Sequence, residues 1–243
     1  MIEHLGGHGG RALARGGWFL RAFVGFLAGW LRYGKPRFSR LANLFRPKDA
    51  VDFEAPFLFS ALQEQSPSTL EELADWLGEH TEWVGDPLRG LVDSFPTVKN
   101  IEWQLNHGDG VFRNDCDGLA LVTALAVRLF CQDPRRNWLV TVVYDPRRVA
   151  LEASAHVVNL FWHDGKWRIF SNAFLDEEAW DTPCAALYGN SHHRSCCNGV
   201  ELQYLEVRGP TLEFVAGGLE GSSTLFGCDL TLPPSHWSGE DSG

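Results

Sequence analysis

The chain of 243 residues holds one methionine, six cysteines without regular spacing, no internal repeat and no glycine-rich nucleotide motif. Each shortage excludes something. Cys116, Cys131, Cys184, Cys196, Cys197 and Cys228 lack the spacing of a disulfide framework and read as mostly reduced, which points to a cytoplasmic protein. The absence of a Walker or dinucleotide glycine pattern leaves nothing that suggests phosphate chemistry or a cofactor. The longest apolar run, Gly17 to Arg32 (GWFLRAFVGFLAGWLR), is shorter than the roughly 20 residues of a membrane span and is interrupted by Arg21. It is followed by Tyr33-Gly34-Lys35-Pro36-Arg37 in place of a small-residue cleavage site, so a secretory signal is not expected.

What is present is a globular composition. Hydrophobic residues make up 44% and charged residues 21%, enough apolar material for a core and too much for a disordered chain or a fibre. Ten Trp and 16 Phe make that core rich in rigid aromatic blocks. The net charge of −10 conceals a division. Residues 1–50 carry nine basic and two acidic side chains (+7), so the remaining residues carry −17.

Three segments follow: a basic aromatic arm (1–50), a main domain (51–232) and a polar tail (233–243). Trp18, Phe19, Phe23, Phe26 and Trp30 give the arm two leading readings: a helix packed on its own domain, or a docking element for a partner protein. A membrane surface ranks behind these, and nucleic acid is not expected.

Within the main domain, Ser66-Pro67-Ser68-Thr69 offers an N-cap for a helix running to about Glu79, with Leu70, Leu73, Trp76 and Leu77 as its buried face. Pro87 to Phe95 reads as helical or irregular, and Gly108-Asp109-Gly110 breaks the chain. Asn114 or Asp115 then caps an apolar helix from Leu119 to Phe130 and seats Cys116 in its first turn. Strands are expected at Trp138–Tyr144, Ala155–Trp162 and Trp167–Ser171, the last two joined by a hairpin at Asp164-Gly165. Beyond Asn172 the signal weakens. Cys184–Cys197 reads as a loop, and Val200–Val207 and Thr211–Phe214 read as further strands. Helices followed by an antiparallel sheet make this an α+β chain.

Cys116 at a helix start has chemical consequences. Unpaired N–H groups and the helix dipole there favour a thiolate, a nearby histidine can move the proton, and a third group can hold the imidazole. His156 opens one predicted strand and Asn172 ends the next, so the Asp164-Gly165 hairpin would bring them side by side.

At these residues the chain resembles the transglutaminase-like cysteine protease superfamily, papain-like in the wide sense. The resemblance rests on Asn114-Asp115-Cys116-Asp117-Gly118-Leu119-Ala120, on His156, and on Gly165-Lys166-Trp167, in that order. Upstream, Ala74-Asp75-Trp76-Leu77 and Trp83-Val84-Gly85-Asp86-Pro87 are similar to the helix and loop before the core in bacterial members. It implies a Cys helix packed on an antiparallel sheet and a catalytic triad, here Cys116, His156 and Asn172. Asn172 stands where the family usually has Asp; an Asn does that work in papain relatives, and Asp176 is a fallback. Gln104 is a candidate oxyanion donor beside the Cys116 backbone N–H.

A second cluster, Cys184, His192, His193, Cys196 and Cys197, contains metal-ligating types but lacks a paired Cys-x-x-Cys, so no metal is expected. The resulting expectation is a cysteine-dependent amide-bond hydrolase or acyl transferase acting on a protein or peptide. Its alternative is a catalytically degenerate fold serving a larger assembly through residues 1–50.

Overall fold

The computed structural model describes Phe26 and residues 59–85, 95–131, 133–144, 148–150, 154–197, 200, 202–218, 224–225 and 228–229. Phe26 is helical and 69% exposed. The rest of the expected arm, the stretch 86–94 and the expected tail lie outside the described residues.

Helix α1 (Ser60–Gln65) leads to α2 (Leu70–His80), which begins where the polar run predicts. Thr69 Oγ1 accepts a hydrogen bond from Glu72 N at 3.1 Å, and the Glu72 carboxylate reaches back to Ser68 N and Oγ, so orphan donors at the helix start are satisfied. Leu70, Leu73, Trp76 and Leu77 are all buried, as the periodicity requires. The short strand β1 (Thr81–Trp83) pairs in parallel with β2 (Phe112–Asn114), and α3 (Val98–Asn106) lies between them in sequence. α1, α3, β1 and β2 were not expected, each being a short element without sustained periodicity.

Helix α4 (Cys116–Ala126) is buried along its whole length from Asp117 onward, as befits a helix apolar on every side. It runs into a 3-10 turn at Val127–Leu129. Then comes the main sheet: β3 (Asn137–Tyr144), β4 (Ala155–His163), β5 (Lys166–Ser171), β6 (Phe174–Leu175), β7 (Leu202–Arg208) and β8 (Phe214–Gly218). Its order is β6-β5-β4-β3-β7-β8, antiparallel throughout. The β4–β5 turn uses Asp164 at φ 49° and Gly165 at φ 77°, the left-handed pair that a two-residue hairpin needs.

Both faces of this sheet are covered. On one face α4 packs with Leu139, Val157, Phe161 and Phe170. On the other, Val140, Val142, Val158, Leu160, Ile169, Leu205 and Val207 form a second apolar layer. That layer is closed by α5 (Pro183–Gly189) and a wide π turn at His193–Cys197. The expected loop at Cys184–Cys197 is therefore mostly helical: Thr182 Oγ1 caps Ala185 N at 3.1 Å, and Pro183 occupies the first turn, where its missing N–H costs nothing. The expected strand at Thr211–Phe214 is also displaced. Leu212 sits in a turn at φ 65°, and β8 begins only at Phe214.

Cys116, Cys131, Cys196 and Cys197 are unbridged thiols, in keeping with the mostly reduced reading, and Cys184 is held in a disulfide. Among the described residues no helix is long and apolar enough to cross a membrane.

Candidate functional site

Cys116 is placed where its local sequence dictates. Asp115 takes an extended conformation (φ −83°, ψ −166°) as N-cap, so Cys116 is the first residue of α4 and half-buried. Gly118 is required there. A Cβ on it would stand 2.1 Å from Asn114 Oδ1 and 2.6 Å from Asn114 Cβ, closer than any contact a side chain tolerates. The carboxyls flanking the thiol, Asp115 and Asp117, are both buried, and Asp117 Oδ1 accepts from Gly118 N at 2.7 Å.

His156 is on the other side of the sheet. On β4 the residues that meet α4 are Val157, Asn159 and Phe161; His156 has the opposite parity and stands opposite Val142 of the second layer. A polar tie confirms which parity faces the helix. Asn159 Nδ2 donates to Asn137 Oδ1 (2.8 Å), and Asn137 Nδ2 donates to Ala124 O of α4 (2.7 Å). Cys116 packs against the α4-side core. Strand alternation thus directs His156 toward the layer opposite the one against which Cys116 packs, and the partners of its ring are Ser171 and His192 rather than Cys116.

His156 has other company. Its Nε2 is hydrogen-bonded to Ser171 Oγ at 2.9 Å, and its ring stacks on His192 with centroids 3.9 Å apart and planes 22° from parallel. Burial, and secondarily the neighbouring His192, push its pKa well below the ordinary histidine value. Next in sequence, His193 is 1% exposed, with Nδ1 3.0 Å from Tyr144 Oη and its ring edge-on to Tyr188. Burial lowers His193 to about 4 and also lowers His192.

Asn172 does not end a strand. It lies with Ala173 in the two-residue turn joining β5 to β6, at φ 49°, and its buried Oδ1 has no hydrogen-bond partner. Ser171, one residue earlier, is the β5 residue that meets His156. The fallback Asp176 accepts from Ser191 N (2.6 Å) and Glu178 N (3.2 Å), anchoring the chain before the π turn. Gln104 does approach the strand that leads to Cys116, but as a brace. Its Oε1 accepts from Arg113 N and its Nε2 donates to Asn100 Oδ1, both at 3.0 Å.

The second cluster divides as well. Cys184 is consumed by its disulfide, Cys196 is exposed, and Cys197 is buried with its thiol pushed up to about 11 by burial. Among the described residues no group of three or more His, Cys, Asp or Glu is arranged to hold a metal ion.

His192 and His193, grouped in the sequence with cysteines as metal-ligating types, instead join His156, Ser171 and Tyr144 in a polar constellation that the sequence did not indicate. The adjacent His192-His193 pair was a signal, but nothing local indicated that the turn carrying it folds back over β4. Comparison with family models, curated proteins and solved structures found no match to this chain.

Proposed function

We propose that this chain is a binding module: a transglutaminase-like α+β ground plan whose Cys116, His156 and Asn172 do not form a catalytic centre and which acts through its surface. One observation supports the reading above all. Cys116 packs in the layer on the α4 face of the sheet, and His156 lies in the layer on the opposite face, stacked on His192. A base that never reaches the thiol cannot take its proton, and proton transfer requires hydrogen-bond reach. Residues 1–50, with their +7 charge, are the docking element, and a partner protein is their target.

Alkylation of the native protein with sub-stoichiometric iodoacetamide across pH 5–9, mapped by peptide mass, tests the reading. Cys196, exposed on the π turn, should react first. Cys197 and Cys131 should lag, because burial raises their thiols. Cys116 should show no reactivity at low pH and no change in His156→Ala. Rapid labelling of Cys116 below pH 7 that slows in His156→Ala would instead restore the cysteine-dependent hydrolase or acyl transferase, which the helix-start position of Cys116 favours. Deleting residues 1–50 should abolish partner binding while Cys116→Ala leaves it intact.

A further inference from the structure

Three imidazoles lie between the second face of the sheet and the segment that closes it, and the proposed binding role uses none of them. His156 rises from β4; His192 and His193 descend from the π-turn segment. The His156–His192 stack is the direct contact between cover and sheet at this point, and the His193 Nδ1 hydrogen bond to Tyr144 Oη is a second one beside it. The Nε2 atoms of His192 and His193 are buried and have no hydrogen-bond partner.

The hydrogen bonds that His156 and His193 make are to neutral hydroxyls, and among the described residues no carboxylate is bonded to any of the three imidazoles. From β3 the facing group is the Tyr144 hydroxyl, from β5 the Ser171 hydroxyl, and from α5 Tyr188. The π turn itself contributes Cys196, Cys197 and Arg194. The carboxylates just before the cover accept from other groups, Asp176 from Ser191 N and Glu178 from Arg194. From β7, Leu205 and Val207 face this layer, while Glu206 and Arg208 have the opposite parity and pair with each other at 2.6 Å. Two stacked rings 3.9 Å apart tolerate one charge poorly and two hardly at all.

We propose that segment 183–197 is an acid-released cover, which stays closed over the sheet while His156, His192 and His193 are uncharged and opens when they take up protons. Opening would expose the apolar layer around Val142 and Tyr144, together with the buried Cys197. The sign follows from the lowered values of all three histidines. The closed state binds fewer protons than the open one, so closure is complete above the ordinary histidine value of 6.5 and weakens as pH falls below it. At pH 5.5, one unit below that value, a histidine whose closed-state value lies well under 5.5, as that of His193 at about 4 does, raises the open population about tenfold.

Hydrogen exchange of the full chain followed by mass spectrometry, with rates corrected for intrinsic pH dependence, is the test. Between pH 7.5 and 5.5, amides of 183–197 should lose at least about tenfold in protection, while those of α4 stay constant. His192→Phe, which keeps a stacked ring but cannot charge, should shrink that loss, and His193→Gln should shrink it independently. A flat profile across this range overturns the proposal. So does a loss shared equally by α4, which would mean global unfolding, or an undiminished pH response when both substitutions are combined.

Discussion

Gly118 shows how little freedom the residue next to a helix start can have. In an exposed helix interior, replacing Gly with Ala gains about 1 kcal/mol through backbone entropy. Here the added methyl would collide with Asn114, whose Cβ is part of the capping turn and cannot swing away. Gly118→Ala is therefore expected to destabilise by about 1–3 kcal/mol, the usual cost of overpacking, and a lowered urea midpoint with unchanged slope would register it. A midpoint that rose would mean that Asn114 is free to move. His156 illustrates the same dependence on surroundings. Its chemistry as a lone residue is that of a general base. Buried beside a second imidazole and a serine hydroxyl, it is a neutral packing group at pH 7.

At the scale of elements, α4 and the sheet are joined by more than apolar contact. The ladder Asn159 to Asn137 to Ala124 O links β4, β3 and the helix through buried amides that water does not reach. Removing one rung strands the others. Asn137→Ala leaves Ala124 O without its side-chain donor and Asn159 Nδ2 without one acceptor, and the penalty for unsatisfied buried polar groups is about 1–3 kcal/mol. Thermal unfolding should show it as a lower midpoint. The same ladder identifies the helix-facing parity of β4, and with it the separation of Cys116 from His156. Much of this level was legible beforehand. The cap at Thr69, the buried stripe of α2, the start of α4 and the Asp164-Gly165 hairpin all follow from local chemistry, and each is found within a residue or two of its expected place. The face toward which His156 points was not legible. Apolar residues occupy both parities of β3 and β4 because both faces are covered, so alternation carries no sign.

Across the whole molecule, acid should act on the second face of the sheet before it acts on the first. The titrating groups there, His156 and His193 buried and His192 half-buried, all have lowered values, so stability is full above pH 6.5 and declines as pH falls toward about 4, where His193 itself titrates. Urea midpoints should hold between pH 7.5 and 6.5 and fall from there to pH 4.5, and the fall should be reduced in His192→Phe. A midpoint that held constant over that range would show that these histidines carry no linked protons. The charge division between residues 1–50 and the remainder, +7 against −17, is a property of the sequence alone and sets the sign of the long-range field.

The sequence by itself determined the class of the molecule, helices followed by an antiparallel sheet, because periodicity, caps and turn residues act over a few neighbours. It also determined that Cys116 begins a buried helix, since the capping residue and the glycine that make room for it are adjacent in the chain. Tertiary structure alone decided what His156 does. Parity on a strand buried on both faces has no local marker, and the partner that claims the imidazole, His192, lies 36 residues away on a segment whose own sequence reads as loop. A one-residue change of parity carries a side chain through the full thickness of a sheet, and only the packing of α4 against one face and of 183–197 against the other fixes which side it reaches.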